Sequence, residues 1–268
     1  TGGDDIIVLR VDGETGQLVW SETYSTLNNE RLVGLACDAV GDLYVVGRAF
    51  GEGFYDLVVQ KYYGDNGLNA WSREIGSAAM LDDVGWDVDI DGQGRVVVAG
   101  LLGLSPSEGE AVVAVLDPVL GEEVWRQTLP GAVYNIEQIS GWLAIAEGDD
   151  VILGTRTWEP ATGFDLVLHR FAAADGGEVW HQRWNGGGTS ADDPRAMAMD
   201  PVTGDLLMAG VSGGDYLVAR FAATDGAPLW QASYAGPPDW YDVATCVAVG
   251  PDGSVVAYEW CVGTRCET

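Results

Sequence analysis

The sequence predicts an all-β fold, a five-bladed β-propeller of four-stranded antiparallel blades closed by its N- and C-terminal strands. Three observations carry that expectation. Trp20, Trp71, Trp125, Trp180 and Trp230 each follow a glycine by four residues and recur at intervals of 51, 54, 55 and 50 residues. A repeat of that length is one supersecondary unit that buries its apolar face only against its neighbours. Short β-branched runs bounded by Asp/Gly turns fill each unit, and no stretch sustains an apolar period of 3.6. Finally, the chain starts on a third strand (5–12) and ends on a second strand (254–260), so the two ends together supply one more blade without an open edge.

Within each unit the elements follow in a fixed order. An acid (Asp5, Asp56, Glu110, Asp165, Asp215) opens the third strand, as in Asp5-Ile-Ile-Val-Leu-Arg10. A turn such as Asp12-Gly-Glu-Thr-Gly16 then leads into the Gly-x-x-x-Trp strand, giving a hairpin. A second acid lies 10 to 12 residues past each tryptophan and precedes an apolar run, a turn such as Asp200-Pro-Val-Thr-Gly204, and a strand expected to end in glycine (Gly47, Gly100, Gly154, Gly210). Two hairpins make four strands. The whole chain, 1–268, reads as a single domain, and the lack of an apolar stretch near 20 residues argues against membrane insertion.

The strings Asp12-Gly-Glu-Thr-Gly16-Gln-Leu-Val-Trp20, Asp117-Pro-Val-Leu-Gly121-Glu-Glu-Val-Trp125 and Asp175-Gly-Gly-Glu-Val-Trp180 resemble the tryptophan-docking repeat of the quinoprotein-like propellers. The segment Ala196-Met-Ala-Met-Asp200 to Gly210 is similar to repeats of bacterial secreted propellers. The resemblance covers nearly the whole chain. It implies that each tryptophan packs between adjacent blades, and it leaves activity open, because such repeats serve dehydrogenases, assembly scaffolds and surface proteins alike.

Charge narrows the partners. With 41 acids against 13 bases the net charge is −28, which repels nucleic acid and anionic membrane surfaces. Either salt adaptation or a cation-rich partner accounts for it. Arg10, Lys61, Arg170 and Arg220 recur at one strand-end position and are expected to pair with turn acids such as Asp38 and Asp200. Of the four cysteines, Cys261 and Cys266 are expected to close a small loop, leaving Cys37 and Cys246 free. His169 and His181 fall on different strands, so no zinc site is expected, and they leave little room for a nucleophile–base pair. Asp87-Val-Asp-Ile-Asp91-Gly92 imitates the opening of a calcium loop but alternates as a strand does.

One constellation bears on function. Glu30, Asp83, Glu137, Asp192 and Asp242 occupy the same place in all five units, before what should be each innermost strand. Gathered around one mouth of a channel, they either cap the interblade turns through backbone N–H groups or recruit a cation, for which Ca2+ is the expectation. The loops after the tryptophans differ in length and carry Trp184, Trp240 and Tyr241, with Trp158 on a neighbouring connector; these form the candidate ligand face. The leading reading is a non-catalytic extracytoplasmic binding propeller for a protein or glycan, a monomer or a module of a longer chain, requiring no cofactor. The alternatives are a quinoprotein-like or glycan-processing enzyme and a structural module of a surface assembly.

Overall fold

A computed structural model describes residues 6–24, 30–51, 53–77, 79–105, 108–133, 141–186, 192–235 and 242–259. Two compact units divide the chain, Thr1–Gly141 and Trp142–Thr268. In the first, β1 (Ile6–Val11) and β2 (Leu18–Tyr24) form a two-stranded sheet. Two four-stranded antiparallel sheets follow: β3 (Arg31–Cys37), β4 (Leu43–Phe50), β5 (Tyr55–Tyr62) and β6 (Asn69–Ile75), then β7 (Val84–Ile90), β8 (Val96–Ser105), β9 (Glu108–Leu116) and β10 (Glu123–Val133).

The second unit repeats the pattern. β11 (Gly141–Ile145), β12 (Val151–Glu159), β13 (Gly163–Phe171) and β14 (Glu178–Trp184) pair in sequence order, as do β15 (Asp192–Met199), β16 (Leu206–Ser212), β17 (Asp215–Phe221) and β18 (Pro228–Tyr234). β19 (Ala244–Val249) and β20 (Val255–Glu259) make a two-stranded sheet. Among the described residues the only helical element is one 3-10 turn, Glu147–Asp149, as the missing 3.6 periodicity predicts.

The central strands are buried on both faces. β4 and β8 are almost entirely shielded, and Tyr44, Val46, Val59, Trp71, Val98 and Val112 join one core in the first unit. Ile152, Leu168, Trp184, Leu206, Met208 and Phe221 form its counterpart in the second. Edge strand β18, by contrast, is exposed along its length.

Tryptophan and base from one repeat converge on a single carbonyl of the next. Arg10 and Trp20 are cross-strand partners, and Arg10 Nη1 and Trp20 Nε1 both donate to the Gly64 carbonyl, the indole at 2.8 Å. Lys61 Nζ and Trp71 Nε1 donate to Pro118 O at 3.1 and 3.2 Å. Arg170 Nη1 and Trp180 Nε1 donate to Ala223 O at 2.6 and 3.1 Å. The bases also meet acids, as expected, although their identities vary: Arg220 reaches Asp200 at 2.8 Å, while Lys61 pairs with Asp42 at 2.9 Å and Arg170 with Asp150 at 2.9 Å. Asp38 instead accepts the Tyr44 hydroxyl and caps its own turn.

The repeated glycines do not end their strands. β4, β8, β12 and β16 run on past Gly47, Gly100, Gly154 and Gly210. The neighbouring first strand carries a β-bulge opposite three of them, after Leu32↔Gly47, Gly85↔Gly100 and Pro194↔Gly210. There the bulged backbone presses so close that a Cβ on Gly47 would lie 2.0 Å from Arg31 O and one on Gly210 2.3 Å from Asp193 O. Glycine is required by backbone approach rather than by a turn. Cys37 and Cys246 are free and exposed; Cys261 and Cys266 lie outside the described residues.

Candidate functional site

The acids before the inner strands are buried and stitch loops together. Asp83 donates its N–H to Tyr55 O at 2.6 Å, and its carboxylate accepts from the Ser77 N–H (2.8 Å) and the Gly103 N–H (2.7 Å). Asp192 accepts from the Gly186 N–H at 2.7 Å, so in both units the donor lies six residues upstream. Asp242 is buried and donates its N–H to Gly214 O at 3.0 Å. Glu30 is buried too, and Glu137 lies outside the described residues. Wherever the hydrogen bonds of these carboxylates are resolved, they include loop amides, in keeping with the turn-cap alternative.

Two of these buried acids, Asp83 and Asp192, are joined by a second carboxylate from the preceding repeat. Asp56, at the start of β5, lies beside Asp83, and a Cβ on Gly76 would sit 3.4 Å from Asp83 Oδ2 and 3.6 Å from Asp56 Oδ1. Asp165, on β13, is near enough to Asp192 for its charge to act on that carboxyl. Burial pushes the Asp83 and Asp192 carboxyls above the usual aspartate range, the amide donors oppose that, and the neighbouring charges of Asp56 and Asp165 add to it.

The second unit balances its pair. Arg183 Nε donates to Asp165 at 2.9 Å, Arg183 Nη1 reaches Glu159 at 2.8 Å, and Thr162 Oγ1 donates to Asp165 at 2.8 Å. These side chains and Asn185 line a cleft of about 380 Å3. Trp158, next to Glu159 at the end of β12 rather than on a connector, is 55% exposed. Trp184 departs from the expected ligand face: it is only 6% exposed and meets Phe221 edge-on at 5.7 Å in the core. Its place, four residues after Trp180, is the inward position that Ile75 fills in the first unit. Trp240 and Tyr241 lie outside the described residues. A cavity of about 640 Å3 in the first unit is an apolar groove between β1 and β3. Asp87 and Asp89 lie on β7, and Asp91 caps its turn and pairs with Arg95 at 2.6 Å.

Residues 4–251, nearly the whole chain, match the model of the family described as outer membrane protein assembly factor BamB. The chain belongs to this family. The repeated sheets of this BamB-family chain are accordingly of propeller type, and solved structures agree. A protein of unknown function from Bacteroides caccae aligns at TM-score 0.58 and 11% identity, over 93% of this chain and 77% of that one. The Dos1 propeller aligns at 0.55 and 14%, over 93% and 55%. The quinohemoprotein alcohol dehydrogenase from Comamonas testosteroni aligns at 0.59 and 14%, over 94% and 43%. The chain thus spans about half or less of the length of the latter two. No curated protein sequence is significantly similar to it.

The carboxylate pairs of this BamB-family chain leave a trace in the sequence. Asp56 precedes Asp83 by 27 residues, and Asp165 precedes Asp192 by the same number. A constant offset between acids of successive repeats is what a contact between neighbouring sheets imposes. No helix among the described residues is long and apolar enough to cross a membrane.

Proposed function

We propose that the protein is a non-catalytic, extracytoplasmic interaction propeller whose acidic loop face takes a cation-rich protein segment or a glycan. The observation that carries this is the recurrence of a carboxylate pair, Asp56/Asp83 and Asp165/Asp192, the second of which meets a cleft lined by Asp165 and Glu159, next in sequence to exposed Trp158. A rigid repeat scaffold holding charge and an aromatic at its loops is suited to recognition, and the assembly-factor description of the family supports a protein partner. Cross-linking in the native cell envelope, followed by mass spectrometry, tests it. The wild-type chain should yield one dominant adduct, lost in Trp158→Ala and Glu159→Gln. An adduct indifferent to both changes, or a stoichiometric quinone chromophore on the isolated protein, would overturn the reading, the latter in favour of an enzyme.

Five blades, with the terminal half-sheets completing one ring, are the architecture proposed for this scaffold. What supports it is strand count: β1–β2 and β19–β20 are runs of two paired strands, while β3–β6, β7–β10, β11–β14 and β15–β18 are each runs of four paired in sequence order. Trp230 is exposed, a Cβ on Gly16 would meet nothing within 4 Å, and β1 exposes Ile7 and Leu9. A fifth tryptophan-on-glycine contact would cover these groups. Slow amide exchange at both edges of β1 is the expected result; rapid exchange at the edge away from β2 would refute closure.

The acids Glu30, Asp83, Glu137, Asp192 and Asp242 are retained in this proposal as a candidate divalent-cation ring, with Ca2+ as the ion. The crowding of negative charge in each pair supports it.

A further inference from the structure

The chain has two histidines, and the fold places them side by side. His169 on β13 is directly opposite His181 on β14, with ring centroids 5.7 Å apart. Glu178, three residues before His181, would point to the other face of a regular strand. A β-bulge at Arg170/Phe171 against Glu178–Trp180 turns it back to the histidine side. Glu178 Oε1 consequently accepts from His181 Nδ1 and lies 3.7 Å from His169 Nδ1.

The same positions meet in other repeats. Glu123 and Arg126, equivalent to Glu178 and His181, form a two-pronged ion pair at 2.6 and 2.7 Å. Gln60 and Ser72, equivalent to His169 and His181, share a hydrogen bond of 3.2 Å. The bulged hairpin therefore brings three side chains together as part of the repeat, and this repeat alone fills all three positions with metal-binding residue types.

We propose that His169, Glu178 and His181 form a Zn2+ site, with a fourth position open to water. One ligand atom from each lies within 4.8 Å of the other two. Tetrahedral zinc with bonds of 2.0–2.2 Å needs separations of about 3.3 Å. Closing that gap falls to the exposed pair: the His181 side chain is 64% exposed and that of Glu178 40%, whereas His169 is 14% exposed and stacked on Phe171 at 6.0 Å. His169 Nδ1 is buried without a hydrogen-bond partner, the kind of atom that a ligand satisfies. The two-nitrogen, one-carboxylate donor set suits zinc better than calcium, which prefers six or more oxygens. The ion would tie β14 to β13 on the outer edge of the second unit.

Equilibrium dialysis of the full chain against Zn2+, with excess Ca2+ and Mg2+ to occupy the many surface carboxylates, tests the site. One tightly held equivalent is expected, with affinity falling at least tenfold in His181→Ala and in Glu178→Gln. His169→Gln, which installs the residue found at Gln60, is the second variant should a smaller side chain disturb the core. Because only two imidazoles exist, nitrogen-15 NMR reads both at once, and Zn2+ should shift the two together. No bound equivalent, imidazole signals indifferent to zinc, or undiminished binding in His181→Ala would each overturn the proposal.

Discussion

Gly121 lies under the Trp71 indole so closely that a Cβ there would sit 2.8 Å from ring carbon Cδ2, and Trp71 Nε1 donates to Pro118 three residues earlier. Trp20 over Gly67 and Trp180 over Gly226 repeat the arrangement. The glycine of one Gly-x-x-x-Trp element is thus the seat for the tryptophan of the element before it. Its positive φ and its missing side chain serve two separate requirements.

Those requirements can be separated by mutation. Gly94 has a φ of +81° with nothing within 4 Å of an added Cβ, so Gly94→Ala should cost only the left-handed backbone penalty, about 1–2 kcal/mol. Gly121→Ala and Gly226→Ala add overpacking against an indole, a further ~1–3 kcal/mol. Urea unfolding gives the energies, and tryptophan fluorescence should shift in the second pair alone. Equal losses at all three sites would mean that the indoles move aside freely.

Lys61 holds the next contact. It bridges Asp42 and the Pro118 carbonyl, with its ammonium 5.1 Å from the centre of the Tyr44 ring. Lys61→Met strands the shielded Asp42 carboxylate and should destabilise by about 3 kcal/mol or more. Lys61→Arg, the residue type of Arg10 and Arg170, should recover most of that in chemical denaturation.

Acid titration should separate two kinds of aspartate. Burial pushes Asp192 above the ordinary value of 3.8, so its protonated form favours the folded state. Its stabilising contribution is complete below 3.8 and is lost as pH rises through the raised value. Asp42 behaves oppositely: burial, which acts to raise its pKa, is outweighed by the Gly64 amide and Lys61. Its contribution is present above 3.8 and lost as pH falls through the lowered value. Relative to Asp192→Asn, the wild type should therefore gain stability as pH drops from neutral toward 4, and relative to Asp42→Asn it should lose stability below about 3.8. Unfolding curves across that range measure both slopes.

The proposed cation ring has its own test. At tenfold excess over its dissociation constant, bound Ca2+ should add about 1.4 kcal/mol of stability. Melting curves with Ca2+ and with chelator at matched ionic strength should then differ, and Asp83→Asn should reduce the difference. Coincident curves would leave these acids as loop caps only, which is the role their amide hydrogen bonds already fill.

Much of this molecule is written in local chemistry. The spacing of Trp20, Trp71, Trp125, Trp180 and Trp230, the Asp/Gly turns and the β-branched runs determine the strand order, because each depends on residues a few positions apart. Trp184 is expected on the ligand face, although its place four residues after Trp180 is the one Ile75 fills after Trp71, and the structure buries it. Other features depend on which backbone lies next to which. Gly47 and Gly210 mark where a bulged neighbour presses in, although in sequence they look like strand ends. Asp83 reads as one of five equivalent acids until Asp56, from the preceding sheet, is set beside it. His169 and His181 belong to different strands, and only the register of β13 with β14, plus one bulge that turns Glu178 around, makes them neighbours. Sequence alone thus determined periodicity, and tertiary structure decided adjacency, because strand pairing and bulges are set by the packing of whole sheets.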